Sequence, residues 1–122
     1  MANTQAMCTS FKGELLVGHH NFGTGVTRGS TAADTFKAAL YLASATVNAS
    51  TTAYSATNEV SGTGYTAGGV TVTFGTAPST SGTTAFVTPS ASIAFTTVTL
   101  STAFDAVLIY NSTQSNKAVS VH

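Results

Sequence analysis

Val70-Thr71-Val72-Thr73-Phe74 alternates apolar residues and threonine with a strict period of two. That is the pattern of a strand with one buried face, and it predicts a strand over these five residues. The same reading extends along much of the chain. Thr35 to Ala43, with Phe36 and Tyr41 near its ends, predicts a strand. Its Ala and Leu also permit a helix, and the strand is preferred because the rest of the chain is so strongly β. Thr84 to Thr88 around Phe86 and Val87 predicts another. Ile93 to Leu100 alternates in two halves, and its change of phase at Thr96-Thr97 predicts a bulge or corner. The run Phe104 to Tyr110 is apolar without alternation through Val107-Leu108-Ile109, so it predicts a central strand of the core. Asn111 to Asn116 reads as a turn, and a last alternating strand begins at Lys117. That pattern is unfinished at His122, so the strand either continues beyond it or ends against another subunit.

Gly23 to Asp34, Gly62 to Gly69 and Gly75 to Gly82 are rich in Gly, Ser, Thr and Pro and read as loops. The stretch from Ser44 to Ser61 is polar, with Tyr54 and Val60 as its anchors. Only Ala6 to Phe22 has helical spacing, with Phe11, Leu15 and Gly18 on one face and Leu16 beside them. Thr9 or Ser10 is the expected N-cap, and Gly18 with His19-His20-Asn21 the expected end. The predicted fold is therefore all-β, mainly an antiparallel β-sandwich or barrel, with a short N-terminal helix. Residues 1–22 form an arm or helix and 23–122 a β-sandwich, one structural domain in all.

Composition narrows the function more than it names it. The chain has 122 residues, four basic and four acidic, and a formal net charge of zero. Charged residues are 7% of the total, whereas threonine and serine number 24 and 14. A basic face for nucleic acid is excluded, and the surface must be built from hydroxyls, alanine and glycine. No apolar run approaches the roughly 20 residues that cross a bilayer, and no secretion signal is legible at the N-terminus. Cys8 is the one cysteine, so no intrachain disulfide forms.

Candidate chemistry is sparse. His19 and His20 are adjacent and point in different directions, with no ligand partner at metal spacing. Cys8 with either histidine lacks the pattern of a thiol nucleophile. Glu14, Asp34, Glu59 and Asp105 lie far apart in the chain, and nothing in their spacing pairs two for acid–base work. Gly62-Thr63-Gly64 and Gly68-Gly69 match no phosphate-binding motif and read as turn glycines. Asn48-Ala49-Ser50 and Asn111-Ser112-Thr113 match the glycosylation sequon by coincidence. The seven Phe and four Tyr read as core rather than as a platform for sugars. No catalytic, cofactor-binding or metal-binding residue is expected.

Several blocks carry a resemblance. They are Cys8-Thr9-Ser10-Phe11-Lys12-Gly13-Glu14-Leu15-Leu16 with Gly18-His19-His20-Asn21-Phe22, then Asp34 to Tyr41, then Glu59 to Gly69. Leu108-Ile109-Tyr110-Asn111-Ser112 and Asn116-Lys117-Ala118-Val119 complete the set. Together they resemble a family of small structural proteins of tailed bacteriophages. The resemblance implies a virion component, made in the host cytoplasm, whose members run on past the last strand seen here. A capsid decoration (cement) protein is the leading expectation. Its partners would be the major capsid protein and copies of itself, as a homo-oligomer, with no nucleic acid and no membrane. Phe11, Leu15 and Leu16 are the candidate inter-subunit contacts. A tail, neck or tailspike-adaptor component is the alternative, with the tail proteins as partners. A glycan-binding module and an enzyme using Glu14 or Asp105 stand behind both.

Overall fold

The computed structural model describes residues 5–18 and 33–122. In chain order its elements are helix α1 (Thr9–Leu16) and strands β1 (Phe36–Tyr41), β2 (Gly62–Thr63), β3 (Val70–Val72), β4 (Ser79–Ser81), β5 (Thr84–Phe86), β6 (Thr99–Leu100), β7 (Ala106–Asn111) and β8 (Lys117–Val121). All strand pairs are antiparallel. The chain divides into two compact units, Met1–Gly29 with Phe74–Ser90, and Ser30–Thr73 with Ala91–His122.

The larger unit is built on an open four-stranded sheet in the order β3-β1-β7-β8. Its two long central strands are buried on both faces. Ala38 to Tyr41 in β1 and Leu108 to Asn111 in β7 are all buried, with Ala38, Ala39 and Leu108 fully inaccessible. The unalternated run at 107–109 therefore marks a central strand, because a strand covered on both sides has no solvent face to keep polar. Register sorts the faces, since residues directly opposite share a side. Ala39 opposes Leu108 and Lys37 opposes Tyr110, so Tyr41, Leu108 and Tyr110 gather on one side. Ala45, Val47, Tyr54, Ala106, Ala118 and Val121 pack against that cluster. Segment 58–60 continues the edge beyond β3, with Leu42 N–H donating to Asn58 O and Val60 N–H to Leu40 O, both at 3.0 Å.

The described strands are antiparallel and the fold is β-rich, as expected; besides the four-stranded sheet they form two two-stranded sheets, β2 with β6 and β4 with β5, and no closed barrel or sandwich is seen among them. Apart from β1, β7 and β8 they are two or three residues long. The strand expected over 93–100 shrinks to Thr99–Leu100, paired with β2. Thr97 lies there at φ +53°, a left-handed conformation that ends strand geometry at the change of phase. Phe104, expected inside the core strand, precedes β7 and is half exposed. None of Phe36, Phe74, Phe86, Phe95 and Phe104 is fully buried, so among the described residues the aromatic core is tyrosine.

The smaller unit joins α1 to the β4–β5 hairpin. Residues 79–81, expected as loop, form β4. The hairpin turns through Gly82-Thr83, with Gly82 at φ +55° as the first central residue of a primed turn. The helix is shorter than the expected Ala6 to Phe22. Cys8 rather than Thr9 or Ser10 occupies the N-cap and makes no side-chain capping bond, so nothing extends the first turn. Gly18 at φ +73° turns the chain out, its N–H on Leu15 O at 3.2 Å. Lys12 Nζ donates to Thr83 O at 2.7 Å and ties the helix to the hairpin. No described helix is long and apolar enough to cross a membrane.

Candidate functional site

The polar groups of the larger unit converge on Glu59. Its neighbours in the chain follow the edge of β1, and Glu59 itself opposes Tyr41 in an isolated bridge. That pairing puts its side chain on the Tyr41 face, while Val60, one residue on, goes to the other face and is buried. Three neutral donors meet the carboxylate. Tyr54 Oη donates to Oε2 at 2.7 Å. Tyr65 Oη and Gly68 N–H donate to Oε1 at 2.6 and 2.7 Å.

A second layer ties these donors to the sheet. Tyr110 Oη donates to Gly68 O at 2.8 Å, and its ring stacks on Tyr54 with centroids 4.7 Å apart. Tyr65 Oη accepts from Leu40 N–H at 3.0 Å. Tyr41 Oη donates to Ser55 O. All four tyrosines of the chain thus belong to one cluster. Gly68 and Gly69 have φ of +89° and +72°, and a Cβ on Gly69 would collide with the Ala38 carbonyl. The double glycine lets this loop press onto β1 and present an N–H to the carboxylate.

Electrostatics follow from the geometry. Burial pushes the Tyr54 and Tyr65 phenols well above the ordinary tyrosine value, and their hydrogen bonds to Glu59 push in the same direction. A phenolate there would face a carboxylate at hydrogen-bond distance. Tyr41 and Tyr110 are also raised, first by burial and then by the charge of Glu59, while the Ser55 carbonyl bond acts the other way on Tyr41. Among the described residues Glu59 has no cation in salt-bridge contact. Both its oxygens are engaged, so the carboxylate is an acceptor that gathers the 54–68 loops.

A smaller polar knot sits at the far end of β7. Asp34 accepts from Asn111 Nδ2 at 2.7 Å and from Gln114 Nε2 at 3.1 Å. Asn111 Oδ1 in turn accepts from the N–H groups of Thr113 and Gln114. The amide nitrogen of that sequon is therefore committed to Asp34.

Other sequence candidates scatter. Cys8 is exposed at the start of α1. Asp105 is exposed, and its N–H donates to Tyr41 O at 2.7 Å. Leu15 and Leu16 are 44% and 50% exposed. Phe11 and Glu14 lie in α1, but their side chains are outside the described set, as are His19 and His20 entirely. His122 Nε2 lies 2.9 Å from Ser120 Oγ. Among the described residues no group of three His, Cys, Asp or Glu side chains is arranged to hold a metal. The Glu59 cluster was missed as a unit. The available signal was that Glu59 alone of the four carboxylates has a tyrosine within six residues on either side and a Gly-Gly turn just beyond.

No known family, curated protein or solved structure matches the chain.

Proposed function

We propose that the protein is a structural component of a tailed-bacteriophage virion, and most specifically a capsid decoration (cement) protein. It binds the outer capsid lattice, assembles with copies of itself and stabilises contacts between capsomers. The observation that carries this reading is the use made of the polar side chains. Among the described residues the larger converging set, around Glu59, is consumed in holding loops to the sheet, the smaller one at Asp34 is consumed in holding the Asn111–Gln114 turn, and charged residues are only 7% of the chain. A surface with so few charges packs against neighbours with little ion desolvation. The blocks resembling small phage structural proteins support the virion assignment. In this reading Phe11, Leu15 and Leu16 are the contacts to a neighbouring subunit.

Quantitative mass spectrometry of purified virions tests it. Copies in the hundreds, near the number of major capsid protein, are expected. A dozen or so copies would move the protein to the tail or neck, and absence from the particle would sink the structural reading altogether.

A further inference from the structure

Tyr54 and Tyr110 are placed for a chemistry that the loop-holding role of Glu59 does not use. Their rings lie face to face, with centroids 4.7 Å apart and planes 18° from parallel. Both hydroxyls end at Gly68, where an added Cβ would lie 3.2 Å from Tyr110 Oη and 4.0 Å from Tyr54 Oη. Rings stacked with their hydroxyls at one end bring the carbons ortho to those hydroxyls side by side. The other two tyrosines are placed differently. Tyr65 stacks on Phe95, with centroids 6.0 Å apart, so its ring partner is not a phenol. Tyr41 Oη is bound to Ser55 O.

Tyr54 also carries a proton acceptor. Its Oη donates to Glu59 Oε2 at 2.7 Å, within the reach of a general base. Burial holds the Tyr54 and Tyr110 phenols protonated above the ordinary tyrosine value. An electron therefore leaves Tyr54 together with its proton, and the carboxylate is there to take it. The chain has no tryptophan to compete for the oxidation. We propose that Tyr54 and Tyr110 form an oxidative modification site, which closes an intrachain dityrosine bond when the protein meets a one-electron oxidant. In the first step Tyr54 gives an electron to the oxidant and its phenolic proton to Glu59 Oε2, leaving a neutral phenoxyl radical beside a protonated carboxyl. Tyr110 then loses an electron to a second equivalent of oxidant, its proton ending in solvent. The two radicals couple through their ortho carbons, and each ortho hydrogen moves to its own oxygen to restore the phenol. In sum two electrons reach the oxidant and two protons reach solvent, one of them by way of Glu59. The new bond fastens the segment at Tyr54 to the central strand β7. The site goes beyond the virion reading and does not depend on it.

Photo-oxidation with ruthenium trisbipyridine and persulfate tests the site, in a Cys8→Ser background that removes the competing thiol. Peptide mass spectrometry of the monomeric product is expected to find Tyr54 joined to Tyr110, lighter by two hydrogens, with the blue emission of dityrosine. In denaturing urea the same chain should lose most of that product, because the stack no longer holds the rings together. Tyr110→Phe should give no intrachain cross-link at Tyr54. Glu59→Gln keeps a hydrogen-bond acceptor but takes no proton, and should slow the cross-linking by about tenfold or more. Cross-links spread over the tyrosines as they are in urea, or found only between chains, overturn the proposal. So does an unchanged rate in a Glu59→Gln protein whose sheet is intact by circular dichroism. If Glu59→Gln loses the sheet, the comparison of folded and urea-treated chains decides alone.

Discussion

At the scale of single residues, Glu59 carries the most. Removing its carboxylate strands two phenols and a backbone N–H that have no other acceptor within the cluster. Hydrogen bonds to a charged group contribute about 1.5–3 kcal/mol each, and an orphaned buried donor costs about 1–3 kcal/mol. Glu59→Ala is therefore expected to destabilise by on the order of 3 kcal/mol, and Glu59→Gln, which keeps one acceptor, by less. Urea unfolding of the three proteins measures the order, and equal midpoints for Glu59→Ala and the wild type would show the clamp to be idle. The tyrosines make a second test. All four have phenols raised above 10.0 in the folded chain. Folding thus favours their protonated form. The associated stability is complete below pH 10 and is lost progressively as pH rises above it, towards the folded values. Ultraviolet absorbance should show phenolate appearing together with loss of the β-sheet circular dichroism signal. Independent titration of four phenols near pH 10 with the sheet intact would contradict the cluster.

Elements are decided by backbone conformation as much as by side-chain pattern. Thr97 pays for its left-handed φ with a β-branched side chain, so Thr97→Gly is expected to raise stability by about 1 kcal/mol. Gly69→Ala should lose more than that, since its Cβ has the Ala38 carbonyl in its way. Thermal unfolding of both variants compares them directly. The long strands were legible because β1, β7 and β8 carry continuous or alternating apolar residues that only pairing can bury. The phase change at Thr96-Thr97 was legible as a break, but not as the end of a strand, because a single sign of φ separates a bulge from a turn. The helix was overextended because spacing says nothing of a missing cap at Cys8. The Glu59 cluster was legible only in its local part, Tyr54, Tyr65 and Gly68; Tyr41 and Tyr110 reach it through sheet register, which no local window contains.

For the whole molecule, assembly is the question that remains after the chemistry is accounted for. Eight charges in 122 residues leave little for salt to screen. Any self-association should therefore be nearly independent of ionic strength, changing less than about threefold between roughly 0.1 and 1 M salt, where the Debye length falls from about 10 to 3 Å. Sedimentation at the two salt concentrations measures this, and strong weakening by salt would mean that the few charges, and not the neutral surface, hold the copies together. The exposed Leu15 and Leu16 of α1 and the Val17 that follows them offer an apolar contribution to packing, in the unit that holds the helix. Apolar contacts of this kind strengthen in sulfate, which gives a simple way to separate them from ion pairing.

The convergence of every tyrosine on Glu59 gives the protein a built-in optical reporter. It has no tryptophan, so its intrinsic fluorescence comes from these four rings alone. Emission from this chain reads the state of a single locus instead of an average over the fold. Docking of a neighbour that shifts the 54–68 loops would be visible in real time on the unlabelled protein, and docking elsewhere would leave the signal flat.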